Sequence, residues 1–407
     1  MNYAASRLSA VQPSASMQVS DRAKALKAAG HDVIDLGLGE PDFDTPGHIV
    51  EAAYQAARAG KTRYPPTDGT QELKQAVVAK FQRENNLTYA PNEIIVSNGA
   101  KQVIFDALMA TLEPGQEVLL CAPYFDIYRT MTFVIGGVPR DIVCSADDGF
   151  GLTPQALEAA ITDETRWLLL NLPSNPAGAC YTTEELQALG AVLARHPNVL
   201  VLADEIYEHI LFDNRTFVSF ANACPELRDR LLVVNGVSKA YAMTGWRIGY
   251  GAGPADLITQ MTKVQSQITS GACSVAQAAA TAALNGPQDH IAEFRTAFER
   301  RRNIIVDGIA KIPALTLDPP GGAFYTYIGC ANAIGSIAPD GTTIADDVAF
   351  ARYLLDDGFV AAVPGSAYGL SPFVRLSTAT SDENLSKAVE RMAASVAKLK
   401  LRNSVDI

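Results

Sequence analysis

Through the middle of this 407-residue chain, short runs of Val, Leu and Ile alternate with amphipathic stretches. The apolar runs fall at 94–96, 117–121, 167–172, 199–203, 231–234 and 248–252, and they show little polar alternation. That is the signature of strands buried on both faces, where neither side needs polar groups. Between them, Ile104, Leu108 and Leu112 share one face of a helix predicted over 101–112. Leu186, Leu189 and Leu193 do the same over 183–195. Alternating strands and helices predict an α/β domain on a mostly parallel central sheet.

The last third has a different pattern. Charged helical stretches at 294–309, 346–356 and 383–399 flank two candidate strands at 323–328 and 373–377. This predicts a smaller α+β domain, and the length of the chain also favours two cores over one. No internal repeat or low-complexity segment interrupts the pattern, and a frayed end is expected at 402–407.

Composition adds exclusions. The formal net charge of −11 disfavours general affinity for nucleic acid or an anionic membrane, while leaving room for a local cationic site. The six cysteines, at 121, 144, 180, 224, 273 and 330, form no C-x-x-C pair. They are expected to be buried free thiols in a reducing cytoplasm, with no metal site. The N-terminal residues contain no apolar signal-peptide core, and no apolar run is long enough to span a bilayer.

Two segments carry candidate chemistry. The run 94–96 leads through Ser97-Asn98-Gly99-Ala100 into a helix. Small residues at such a turn let backbone N–H groups approach an anion, and the helix N-terminus adds its dipole. An ordinary tight turn has the same sequence features, and neither a Walker A loop nor a G-x-G-x-x-G fingerprint is present. The second segment, Asn235 to Tyr250, follows a buried strand and sets Lys239 among small and aromatic residues, with Arg247 eight positions on. A lysine there is costly unless it reacts or pairs, although a structural or snorkelling lysine also fits the local pattern.

The segment around Lys239 resembles the cofactor-lysine region of fold-type I aminotransferases, specifically the bacterial-type aspartate aminotransferase family. Other blocks match in order: Gly37 to Pro46, Thr62-Arg63-Tyr64-Pro65, Asn171-Leu172-Pro173-Ser174-Asn175-Pro176, Asp204-Glu205-Ile206-Tyr207 and Val374-Arg375-Leu376-Ser377. The resemblance spans about residues 7 to 398. It implies the fold of that family: an N-terminal arm at 1–12, a small domain from 13–46 and 295–407, and a large cofactor-binding domain at 47–294.

It also implies pyridoxal 5′-phosphate (PLP), held by Lys239 as a Schiff base, and a ping-pong transfer of an amino group from an L-amino acid to a 2-oxo acid. Lys239, Asp204 and Tyr207 are the implied catalytic residues. Asp204 would pair with the pyridine nitrogen, Tyr207 and Asn175 would bond the phenolic oxygen, and Phe125 would stack on the ring. Arg247 and the turn at Gly99, Ala100 and Lys101 would hold the phosphate, with Ser238 assisting. Arg375 would fork onto the substrate α-carboxylate, and Gly39, Phe125 and Asn175 would complete the substrate site. Tyr64 would reach the phosphate in a neighbouring subunit, which implies a homodimer with shared sites.

The chain departs from the family pattern around the substrate. Phe125 stands where a Trp is usual, Gly236 where many relatives have Ser, Ala177 where Thr is usual, and Thr378 where Tyr is common. The distal-carboxylate arginine of some subgroups has no clear match, and Lys101 is a candidate substitute. Aspartate with 2-oxoglutarate is therefore the first expected pair, with aromatic, neutral or prephenate substrates as the alternative. A C–S lyase keeps the fold but breaks another bond. A transcription-regulator sensor domain would need an N-terminal DNA-binding module, and the matching blocks begin near residue 7. A nicotinamide dehydrogenase is disfavoured because no strand–GxGxxG–helix unit exists.

Overall fold

The computed structural model describes residues 5, 8, 11 and 14–401. Most of the expected N-terminal arm, and the expected frayed end at 402–407, lie outside the described residues. Twelve strands are seen among the described residues: β1 (Ile34–Asp35), β2 (Ile94–Ser97), β3 (Glu117–Ala122), β4 (Val138–Val143), β5 (Thr165–Asn171), β6 (Leu200–Asp204), β7 (Leu231–Gly236), β8 (Gly249–Ala252), β9 (Tyr325–Gly329), β10 (Val360–Ala361), β11 (Val363–Pro364) and β12 (Phe373–Ser377).

Seven of these form the central sheet in the order β2-β8-β7-β6-β5-β3-β4. Strand β8 pairs antiparallel with both neighbours, and the remaining pairs are parallel. The sheet is thus mixed and mostly parallel, in agreement with the near-continuous apolar runs. Strand β4 was not expected. It is the edge strand, its sequence Val-Pro-Arg-Asp-Ile-Val is largely exposed, and Pro139 is tolerated where a ladder N–H can be spared.

Helices cover both faces of the sheet. Ile94 and Val96 pack into one apolar cluster with the helix Gln71–Asn85, while Ile95 faces the other cluster with Val103 and Leu108. The same alternation along β5 sends Leu168 and Leu170 one way and Trp167 and Leu169 the other. A separate core gathers Ile34 and Leu36 with residues from Ile305 to Leu399, around the antiparallel sheet β11-β12-β9. Its long helices are Asp289–Ile309, Asp347–Gly358 and Asp382–Ala397. No described helix is long and apolar enough to cross a membrane. The six cysteines are free, but the expectation of burial holds only for Cys144, Cys224 and Cys330; Cys121 and Cys180 are half-buried, and Cys273 is exposed just before the helix Ser274–Asn285.

Candidate active site

The carboxyl ends of parallel strands are where an open α/β sheet presents its ligands, because the strands stop there and the loops diverge. Asn171 and Asp204 are the last residues of β5 and β6, and Lys239 lies three residues beyond β7. They line one cavity of about 560 Å³ together with Tyr207, Arg247 and Arg375. Gly39, Ala100, Lys101, Phe125, Asn175 and Ser238 line the same cavity. The structure thus gathers expected site residues from seven separated segments of the chain. Gly99 lies at its edge as the residue preceding the helix Ala100–Thr111. Tyr64 stands apart and is 91% exposed.

Lys239 is half-buried, and its Nζ donates a 2.7 Å hydrogen bond to the carbonyl of Gly39. Burial pulls its pKa down to about 8, with Arg375 and Arg247 acting in the same direction and Glu40 and Asp204 opposing. The amine also lies over the rings of Tyr207 and Phe324, at 5.8 and 5.6 Å. An appreciable neutral fraction near neutral pH makes this a nucleophile in waiting.

Asp204 is buried, and loss of water raises its carboxyl to about 6. Tyr128 Oη donates to Asp204 Oδ2 at 2.6 Å and pulls the other way, as does the backbone N–H of Ile206. Tyr207 Oη shares a 3.0 Å hydrogen bond with Tyr325 Oη, and burial pushes its phenol well above the usual range.

Arg375 lies inside β12 and is only 2% exposed. Its Nη1 donates to Asn175 Oδ1 at 3.2 Å and its Nη2 to the carbonyl of Gly37. The rings of Tyr325 and Tyr368 flank the guanidinium at 4.7 and 5.0 Å. Among the described residues no carboxylate lies within 4.0 Å, and the buried Nε has no hydrogen-bond partner. A desolvated guanidinium with a free donor calls for an anionic ligand.

The anion turn owes its shape to two glycines. Gly99 has φ +84°, and a Cβ there would meet Arg247 Nη2 at 2.4 Å. A Cβ on Gly249, the first residue of β8, would lie 2.1 Å from the backbone N of Ala100. Absence of both side chains brings the helix N-terminus and Arg247 together. Arg247 is itself held by the carbonyls of Thr244 and Asn98, at 2.8 and 3.3 Å. A Cβ on Gly39 would strike Tyr325 Oη at 2.1 Å, so this glycine also makes room for a tyrosine.

The donor set fits PLP. The glycine-bounded turn with Arg247 suits a phosphate dianion. The buried carboxylate of Asp204 suits a protonated ring nitrogen, and Lys239 suits an aldehyde. Among the departures, Gly236 has little room for a side chain, since a Cβ would lie 3.0 Å from the carbonyl of Ile248. Ser238 is buried and lines the cavity instead. Phe125 packs edge-on against Tyr128, with ring centroids 5.6 Å apart.

Several site residues were missed in the sequence. Asn171, whose Oδ1 accepts from the backbone N of Asn175 at 2.6 Å, lay within a recognised block. Tyr128, one helical turn after Phe125, Tyr325 at the start of β9, and Asp126 gave no sequence signal of their own. Away from the cavity, Glu84, Glu208 and His209 bring ligand atoms within 4.8 Å of one another. Lys80 pairs with both carboxylates, so this cluster is satisfied as a buried ion-pair network.

Comparison with known proteins agrees with this geometry. The family model for aminotransferase class I and II matches residues 31–392. The chain is 52% identical to an aspartate aminotransferase of Rhizobium meliloti over 97% of this chain and 96% of that one. It is 49% identical to an aspartate/prephenate aminotransferase of Cereibacter sphaeroides, over 98% and 100%. The solved aspartate aminotransferase from Rhizobium meliloti superposes with a TM-score of 0.96 at 51% identity, over 98% of this chain and all of that one. The Thermus thermophilus enzyme solved with maleate gives 0.90 at 38% identity, over 97% and 100%. Sequence, fold and cavity together make this chain a member of the class I and II aminotransferase family, whose enzymes depend on PLP.

Proposed function

We propose that this cavity transfers the amino group of aspartate to 2-oxoglutarate, with Lys239, Asp204 and Tyr207 as its catalytic residues. The observation that carries the site assignment is the convergence of a half-buried lysine, a buried carboxylate and a buried guanidinium without a carboxylate partner on one cavity. The choice of donor is supported by the relatives named as aspartate and aspartate/prephenate aminotransferases.

When bound, PLP supplies the electron sink for bond breaking at the substrate α-carbon. The backbone N–H groups of the turn at Gly99, Ala100 and Lys101 hold its phosphate together with Ser238 and Arg247, and Phe125 covers the ring. Asp204 keeps a proton on the ring nitrogen, because an adjacent carboxylate favours the cationic form. Tyr128 orients that carboxylate from behind. Tyr207 and Asn175 donate toward the phenolic oxygen. Arg375 fixes the amino acid by its α-carboxylate and so orients the α-hydrogen toward Lys239. Lys239 Nζ would accept that proton and deliver it to the C4′ carbon of the cofactor in the same half-reaction, and would carry it the other way in the second half-reaction.

The same reading makes the enzyme a cytoplasmic homodimer in which the exposed Tyr64 reaches the neighbouring subunit's phosphate site. The test is a panel of amino donors with 2-oxoglutarate, read as glutamate formed. Aspartate should be among the productive donors. Absence of transfer from every donor would reject the proposal, and release of pyruvate and ammonia from cysteine conjugates would favour a C–S lyase.

A further inference from the structure

Lys101 and Asp126 bring opposite charges to the lining of the cavity. Both line it, together with Ser14 and Phe125. Lys101 Nζ lies 5.5 Å from the centroid of the Phe125 ring. Asp126, the next residue, accepts a 2.9 Å hydrogen bond from Ser14 Oγ through Oδ2. The two charges act on each other through space, but no contact within 4.0 Å joins them among the described residues. Asp126 caps no backbone N–H of the helix that follows it, so helix capping does not account for its charge. Glu40 adds a second carboxylate to the lining.

The cavity's cations can be allotted in turn. Arg375 is committed to the α-carboxylate and Arg247 to the phosphate under the function proposed above. Lys101 is then the cation left for a distal carboxylate. Asp126 sits beside it and uses the Ser14 hydroxyl as its own donor. A distal carboxylate drawn to Lys101 meets one attractive and one repulsive charge, and the Ser14 proton is already engaged. An uncharged side chain loses nothing to Asp126 and gains the apolar surface of Phe125, Ile104 and Met17.

We propose that Asp126 is a specificity-determining residue that offsets Lys101, so the cavity takes amino acids with uncharged aliphatic or aromatic side chains alongside dicarboxylates. This deepens the function proposed above and rests on its assignment of Arg375 and Arg247.

The test uses holoenzyme and two unreactive acids that lack the amino group, succinate and hydrocinnamate. Their dissociation constants are read from the change in cofactor absorbance on titration. Asp126→Asn keeps the shape and the acceptor for Ser14 while removing the charge. A unit charge several ångströms away through a half-solvated site corresponds to about tenfold in affinity. Asp126→Asn should therefore tighten succinate about tenfold and leave hydrocinnamate within about twofold. Lys101→Met should do the reverse, weakening succinate alone. A succinate-to-hydrocinnamate ratio that Asp126→Asn moves by less than about threefold overturns the proposal, as does a parallel shift of both ligands. Both constants are equilibrium values, so they stand whether or not any donor is transaminated. Failure of the functional assignment and failure of this inference are thereby separable.

Discussion

Replacing Tyr128 by Phe removes one oxygen from behind Asp204 and little else. The lost bond is 2.6 Å long, and both partners are buried. A hydrogen bond to a charged acceptor contributes roughly 1.5–3 kcal/mol. Expressed as a protonation equilibrium, that is roughly one to two pKa units. Asp204 stands at about 6 with the bond in place, so without it the carboxyl should titrate above neutrality. The sign follows from burial. Asp204 is raised above its ordinary 3.8, so the ionised form is the costly one. The stability it confers is whole below 3.8 and is lost as pH rises through about 6. Tyr128→Phe extends that window upward. At pH 7 most apoenzyme molecules would then carry a neutral carboxyl that pairs poorly with a protonated ring nitrogen. Cofactor affinity measured against pH gives the readout: the inflection near 6 should move up by roughly one to two units, and the PLP dissociation constant at pH 7 should rise roughly tenfold. An unmoved inflection with affinity within twofold would refute the argument that Tyr128 keeps Asp204 ionised.

Three further outcomes are expected. Gly249→Ala places a Cβ 2.1 Å from the Ala100 backbone N, and overpacking of that order costs about 1–3 kcal/mol, so PLP should bind roughly tenfold or more weakly in an equilibrium titration. Arg375→Lys replaces a two-pronged donor with a point charge, and the KM for the amino donor should rise by roughly tenfold or more while cofactor absorbance is unchanged. Lys239 has a depressed pKa of about 8, so its burial destabilises the fold most below that pH and ceases to do so above 10.5. The rate at which apoenzyme captures PLP should accordingly climb with pH and level off above about 8, and a rise continuing past 10 would contradict the burial argument.

The sheet was legible because burial on both faces leaves a simple trace. The strands from β2 to β8, β4 excepted, were predicted to within two residues at either end. β4 escaped because an edge strand needs no apolar face and tolerates Pro139 and Arg140. The site was legible only through order. Lys239 alone was ambiguous, and Arg247 in the same segment together with the separated blocks carrying Asp204, Asn175 and Arg375 supplied partners that the fold brings into one cavity. Tyr128 and Tyr325 were hidden because their use depends on contacts across elements, Tyr128 reaching β6 and Tyr325 reaching Tyr207. Gly39 gave part of its role and hid another. A glycine in a substrate loop suggests a close ligand, and the missing Cβ also accommodates Tyr325 Oη, a contact across elements that the sequence does not announce.

The most direct test of the whole account is Lys239→Ala, examined by absorbance and turnover together. General acid–base groups contribute roughly 10²–10⁴-fold. The variant should fold, lose the long-wavelength absorbance of lysine-linked cofactor, and lose amino transfer by at least about a hundredfold. Turnover equal to that of the unaltered enzyme would contradict the assignment of Lys239, and with it the chemistry built on that residue.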